Sequence, residues 1–149
     1  MRPQQVTIDL AQKWLDAQES NNFDQFGSSD ISSFSTMQKV IFLTKLSEKV
    51  PLQHRTLDEM EQAYKLTNYR NSEVRFSWLS LALKSHYEKV FDATVHMLGS
   101  QGRMKFTRPL YRLLFACPNG RDLARQTFLR LRNFYHPICA RLVEGDLGL

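Results

Sequence analysis

The spacing of the apolar residues constrains this fold most, because it follows the helical period over nearly the whole chain. The clearest run is Tyr87, Val90, Phe91, Thr94, Val95 and Leu98. Residues three and four apart share one face of a helix, so this run predicts a helix with one buried side. No stretch alternates apolar and polar residues as a half-buried strand would. The sequence therefore predicts an all-α fold.

Capping signals divide this pattern into separate helices. Ser35-Thr36-Met37-Gln38 and Thr56-Leu57-Asp58-Glu59 both have the form of a capping box. Asn71 is suited to cap a further helix, and Gly99 is placed as a left-handed C-cap. The last long helix is predicted over residues 121–136, after a Pro-Asn-Gly break. Residues 19–35 are predicted to be a loop.

The predicted helices come in pairs that recur along the chain. Pairs begin near Ser35, Asn71 and Thr107, a spacing of about 36 residues, which lies in the range of helical repeats. Thr107 is chosen because Pro109 suits the first turn of a helix. We therefore expect residues 1–149 to form a single domain. Its expected architecture is a right-handed α-α superhelix, a stack of helical hairpins similar to armadillo or HEAT arrays.

The charge is distributed unevenly along the chain. The sequence has 20 Lys and Arg against 15 Asp and Glu, which gives a net charge of +5. Residues 1–99 hold 11 basic and 12 acidic side chains, whereas residues 100–149 hold 9 basic and 3 acidic ones. This basic last third leaves a nucleic-acid-binding domain open as one function class. It lacks the exposed aromatic residues that single-strand binding platforms interleave with basic ones, so we do not favour nucleic acid as a partner.

No motif of a self-sufficient enzyme is present. The sequence contains no HExxH, no Gly-rich phosphate loop and no CxxC. No histidine has a second likely metal ligand at i+3 or i+4 on a convincing helix face. The histidines are His54, His86, His96 and His136. Cys117 and Cys139 are isolated and are expected to be small buried side chains. We expect no catalysis and no metal site in this chain alone.

The same features bear on location. Two cysteines are too few for a disulfide framework and indicate a reducing compartment. Residues 1–10 lack the apolar core of a secretory signal, and no run of about 20 apolar residues predicts a membrane span. We therefore expect a cytoplasmic location and no membrane partner.

One segment, residues 101–110, has the composition of an anion site. Arg103 and Lys105 are two residues apart, so in an extended loop their side chains would point to the same side. Two converging cations suit a carboxylate or a phosphate, and the start of the next helix would add its dipole. The alternative is a solvated basic loop. Trp14 and Trp78 are expected in the core, and exposed positions are expected for Arg121, Arg125, Arg130 and Arg132.

Several motifs resemble those of a known family. NSEVRFSWL (71–79), QGRMKFTRPLY (101–111) and HP (136–137) resemble the C-terminal helical domain of leukotriene-A(4) hydrolase. LAQKW (10–14) and PLQHRTLDEMEQAY (51–64) resemble earlier helices of the same domain. That enzyme is grouped with aminopeptidase B and aminopeptidase O among the HExxH zinc aminopeptidases. Divergence between the motifs leads us to favour the aminopeptidase O branch, for which a nucleolar location is a further expectation.

The resemblance implies a role within a larger enzyme. The helical domain would pack against a catalytic domain and an N-terminal β domain, both absent from this chain. The catalytic domain would hold the zinc and its HExxH ligands. Arg103 and Lys105 match the Arg and Lys that reach the family's substrate tunnel and receive the carboxylate of a peptide or lipid. The chain would then be a non-catalytic wall of that tunnel, binding the C-terminus of a peptide substrate. The alternative is a standalone α-solenoid module that binds other proteins.

Overall fold

The structure is a computed structural model that describes residues 3–149, with side chains from residue 4 onward. Its α-helices are α1 (Pro3–Ser20), α2 (Ser29–Ser32), α3 (Thr36–Ser47), α4 (His54–Tyr64), α5 (Ser72–Lys84), α6 (Phe91–Ser100), α7 (Met104–Ala116), α8 (Arg121–Leu131) and α9 (Pro137–Asp146). Two 3₁₀ turns, Glu88–Val90 and Arg132–Phe134, precede α6 and follow α8. Residues 3–149 contain no strand, so the all-α prediction is confirmed. Over the same residues, no helix is both long enough and apolar enough to cross a membrane.

The chain divides into two compact units, Met1–Ser85 and His86–Leu149. In the first unit, α3 packs against both α1 and α5. Trp14 and Trp78 are fully buried there, as expected from their positions on apolar helix faces. The prediction that residues 1–149 act as one domain is not tested by this division and stays a prediction.

A buried aromatic cluster orders the segment that follows α1. Trp14 Nε1 donates a hydrogen bond to the Tyr64 hydroxyl at 3.1 Å, and that hydroxyl donates to Asp30 Oδ2 at 2.7 Å. The ring of Phe26 stacks on Trp14 with centroids 3.7 Å apart.

The segment 19–35, which was predicted to be a loop, is partly helical, because α1 continues to Ser20 and α2 lies within the segment.

The helix starts agree with the sequence where a side chain caps the helix. The capping box of Ser35 is present, because its hydroxyl accepts from Gln38 N while the Gln38 side chain accepts from Ser35 N. Asn71 Oδ1 accepts from the first-turn N–H groups of α5, as predicted. The predicted box at Thr56 is wrong. Helix α4 begins at His54, and the buried Thr56 hydroxyl donates to Gln18 Oε1 at 2.8 Å.

In the second unit, α7 packs against α6, α8 and α9. Three predicted boundaries in this unit are wrong. Gly99 is not a C-cap, because α6 continues to Ser100. The C-cap residue is Gln101, which has an extended backbone conformation. The long helix predicted over 121–136 ends at Leu131. The third error, at the start of α7, changes the geometry of the candidate site.

Candidate functional site

Helix α7 begins three residues earlier than predicted, at Met104 rather than Thr107. Arg103 is its N-cap residue, with extended backbone angles (φ −66°, ψ 118°), and Lys105 is already the second helical residue. The two residues therefore do not lie in an extended loop, and the alternation used to place them on the same side does not apply. Pro109 lies inside the helix, where its missing N–H removes one backbone hydrogen bond.

The structure brings the two cations together in another way, on the ring of Phe106. Arg103 Cζ lies 5.2 Å from the centroid of this ring, and Lys105 Nζ lies 5.0 Å from it. Both distances are within the range of a cation–π interaction. Phe106 is 1% exposed, whereas the two basic residues are exposed. The sequence reasoning missed Phe106, and the available signal was an aromatic residue directly after the two cations.

The start of α7 adds a second source of positive potential. The first backbone hydrogen bonds of the helix run from Phe106 N and Thr107 N to Arg103 O, each at 2.9 Å. The first turn contains no acidic side chain that would offset the positive end of the helix dipole. Two cations at a helix N-terminus form a place where a carboxylate or phosphate can accept several hydrogen bonds.

An ion pair fixes the middle of α7 to α9. Arg108 Nε donates to Asp146 Oδ2 at 2.7 Å, and Arg108 Nη2 donates to Asp146 Oδ1 at 3.1 Å. The Arg108 guanidinium holds the pKa of the Asp146 carboxyl below its ordinary value. This bidentate geometry restricts how α7 can move against α9.

A buried tyrosine pair connects the end of α6 to α7. Tyr135 Oη donates to Leu98 O at 2.8 Å, and the hydroxyls of Tyr111 and Tyr135 lie 2.8 Å apart. A Cβ atom added at Gly102 would lie 3.6 Å from Tyr135 Cδ1, so the residue before Arg103 lies against the same side chain. These contacts position the short link between α6 and the candidate site.

The two cysteines and the possible metal ligands were the other candidates for chemistry. Cys117 and Cys139 are buried, as expected, and burial raises the pKa of the Cys117 thiol to about 11. A thiol with so high a pKa is a poor nucleophile at neutral pH. Within residues 3–149, no group of three or more His, Cys, Asp or Glu side chains could hold a metal ion.

Three of the four arginines expected to be merely exposed also contact an aromatic ring, among them Arg132, whose guanidinium carbon lies 5.5 Å from the centroid of Phe128. The guanidinium carbons of Arg121 and Arg125 lie 4.4 and 5.1 Å from the centroid of Phe115. Arg125 Nε also donates to Leu147 O at 3.0 Å. Arg132, which is exposed, pairs with Glu144 of α9. These arginines stabilise the packing around α8 and are not simply solvated.

Comparison with known proteins identifies similar sequences and structures. The sequence profile of the family described as "Leukotriene A4 hydrolase, C-terminal" matches residues 34–147. The chain is 39% identical to leukotriene A-4 hydrolase of Xenopus laevis over 144 residues, covering 95% of this chain. It is 41% identical to leucine aminopeptidase 2 of Aspergillus niger over 143 residues, also covering 95% of this chain. In both cases the chain spans 23% of the relative's length.

A solved structure gives the same result for the fold. The native leukotriene A4 hydrolase of yeast superposes with a TM-score of 0.88 and 29% identity. The match covers 97% of this chain and 26% of that one. These relatives are leukotriene A4 hydrolases and leucine aminopeptidases, and they give no support to the aminopeptidase O branch that the sequence led us to favour.

Proposed function

We propose that this chain, which belongs to the leukotriene A4 hydrolase family and matches the C-terminal domain of its members, serves as a non-catalytic part of a zinc aminopeptidase. In this role it forms one wall of the substrate tunnel. Arg103 and Lys105 bind the free carboxylate of the substrate, which for a peptide is its C-terminus. The aminopeptidase O branch is retained only as a finer proposal, because it rests on the divergence of the segments between the motifs.

The observation that carries this proposal is the position of both cations at the start of α7, beside the ring of Phe106. A guanidinium can donate two parallel hydrogen bonds to one carboxylate, and an ammonium adds a third donor. The helix N-terminus favours the same negative charge. Such a site contributes by orienting the substrate and by electrostatics, and it makes or breaks no bond.

The part of this domain that the structure describes offers no site for the zinc of the proposed enzyme. The described part of the chain offers no cluster of three or more metal-ligating side chains. The ordinary zinc site of a hydrolase needs three protein ligands and an open position. We therefore assign the metal to the catalytic domain and derive no step through it here.

The proposed partners within the enzyme are its catalytic and N-terminal domains. Large apolar side chains are exposed in the second unit, among them Phe134 (52%), Ile138 (59%) and Leu142 (36%). Apolar side chains left in water at this level support docking against another protein surface.

A standalone interaction module would expose these side chains as well. Binding to the catalytic domain supplied in trans separates the two candidate functions. Binding only to unrelated proteins would favour the module.

Carboxylate binding is tested by nuclear magnetic resonance titration of the 149-residue chain. The probe is N-acetyl-dialanine, first as the free acid and then as its C-terminal amide. We expect the free acid to shift the Arg103 and Lys105 signals and the amide to leave them unchanged, because only the acid carries a charge. Arg103→Ala should weaken binding of the acid by about tenfold or more, since a hydrogen bond to a charged group contributes about 1.5–3 kcal/mol.

The matched control for this titration is Arg112→Ala. Arg112 is an exposed basic residue of the same helix, so its removal changes the net charge by the same amount. We expect it to leave binding unchanged. Equal weakening by both variants would mean that the acid responds only to overall charge, which contradicts the proposed site.

A further inference from the structure

We propose that Phe106 is the positioning residue of the carboxylate site and that its ring holds Arg103 and Lys105 as one receptor. This inference rests on the proposed function of the two cations. It assigns a role to a side chain that touches no substrate. Phe106 acts through its ring, which contacts the two cations that precede it in the sequence, Arg103 and Lys105.

The geometry gives the ring access to both charged groups. The Arg103 guanidinium carbon and the Lys105 ammonium nitrogen lie 5.2 and 5.0 Å from the Phe106 centroid. Phe106 is 1% exposed although Arg103 and Lys105 are exposed, so a buried side chain contacts two residues that solvent reaches. A buried ring has few conformations, and it restricts long side chains that would otherwise sample many rotamers.

An aromatic ring can hold a cation without using its hydrogen-bond donors. The ring attracts the charge through its quadrupole, and it leaves N–H groups directed elsewhere. An acidic side chain would instead accept those hydrogen bonds and neutralise the charge. Across residues 3–149, Arg103 makes no ion pair with an acidic side chain. The Phe106 ring therefore orients the cation and keeps its donors available for a carboxylate.

The same helix provides a comparable arrangement that serves as a control. Near the C-terminal end of α7, Phe115 lies 4.4 and 5.1 Å from the guanidinium carbons of Arg121 and Arg125. The interaction has the same chemistry but lies at the opposite end of α7 from Arg103. Changes to the electronic character of this second ring should not affect carboxylate binding at the first.

The experiment replaces Phe106 in the 149-residue chain with mono-, di- and trifluorinated phenylalanine. Fluorine withdraws charge from the ring face and weakens a cation–π interaction stepwise, while the size and burial of the side chain change little. Binding of N-acetyl-dialanine is measured from the Arg103 and Lys105 signals. We expect the affinity to fall at each step. Over the whole series, the loss of each cation–π interaction should lower the affinity by about two- to fivefold. The same series at Phe115 should have no effect.

Three results would overturn the inference. The first is constant affinity across the Phe106 series, and the second is an equal fall in the Phe115 series. The third is an affinity of Phe106→Leu equal to that of the original chain, since leucine keeps the apolar contact and removes the ring. If Phe106→Leu does not fold, the fluorinated series still decides. Failure of the proposed function is distinguishable, because Arg103→Ala would then bind the acid as well as the original chain does.

Discussion

At the scale of single residues, Tyr135 joins three segments of the second unit through one hydroxyl group. That group has a single hydrogen, which it donates to Leu98 O at 2.8 Å, so the bond with Tyr111 must use the Tyr111 hydrogen. Burial raises the pKa of Tyr135 to about 12, so the hydroxyl keeps its proton at neutral pH. The Tyr135 hydroxyl therefore provides a hydrogen-bond partner for both the Leu98 carbonyl and the Tyr111 hydroxyl. These groups are buried, where an unpaired polar group is costly.

We predict that Tyr135→Phe destabilises the chain by about 1–3 kcal/mol, because it leaves the Leu98 carbonyl and the Tyr111 hydroxyl without their partner. Urea unfolding followed by circular dichroism measures this change. Tyr111→Phe is the matched comparison, since it removes one hydroxyl and preserves the bond to Leu98. We expect a smaller loss of about 0.5–1.5 kcal/mol. A larger loss for Tyr111→Phe than for Tyr135→Phe would contradict this hydrogen-bond assignment.

The sequence identified the charged residues of the candidate site but not the residue that holds them. Charge and spacing are local properties, so Arg103 and Lys105 were found from residues 101–110 alone. The role of Phe106 depends on where its ring points once α7 has formed. An apolar residue at that position reads simply as core, and its contact with both cations is visible only in three dimensions.

At the scale of elements, helix starts were predictable where a side chain forms the cap. Ser35 and Asn71 both accept hydrogen bonds from first-turn N–H groups, and both starts are as predicted. Gln53 and Arg103 are N-cap residues without a side-chain cap bond, and the starts of α4 and α7 were both missed. Neither start has the side-chain cap hydrogen bond that makes a helix start visible in the sequence.

Two glycines provide a prediction about the elements around α8 and α9. Gly120 has ordinary backbone angles, but an added Cβ would lie 2.2 Å from the Leu114 backbone oxygen. Gly120→Ala should therefore destabilise the chain by about 1–3 kcal/mol or more, because either α7 or α8 must shift. Gly145 lies inside α9 with nothing within 4 Å of an added Cβ. Gly145→Ala should stabilise the chain by about 0.5–1 kcal/mol.

The check on this pair is thermal and urea unfolding of both variants beside the original chain. Opposite signs are expected, because one substitution meets a backbone atom and the other fills open space at a helical position. Equal effects of the two substitutions would mean that the tight approach of residue 120 to Leu114 is not maintained in solution.

At the scale of the whole molecule, the fold class followed from the sequence and the organisation did not. Helical periodicity is repeated in nearly every segment, so an all-α fold was predictable without knowing which helix contacts which. The division at Ser85–His86 depends on contacts between distant residues, such as those of α3 with α1 and α5. The regular spacing of about 36 residues failed at the third pair, because α7 begins at Met104.

The chain spans only 23% of the length of the leukotriene A-4 hydrolase and of the leucine aminopeptidase 2 compared above. Activity, zinc and substrate belong, in our proposal, to the complete enzyme that contains this domain. The proposal gives the domain one task that a measurement can isolate, which is to recognise a free carboxylate. An amidated substrate lacks that charge and differs little elsewhere, so it serves as the internal reference.

The most direct test is the ratio of kcat/KM for trialanine to kcat/KM for its C-terminal amide, measured in the complete enzyme. We predict that Arg103→Ala lowers kcat/KM for the free acid by about tenfold or more, as expected for a lost charge-assisted hydrogen bond, and leaves the amide unchanged. Arg112→Ala should change neither substrate. Equal loss on both substrates, or no loss on the free acid, would contradict the assignment of Arg103 to the substrate carboxylate.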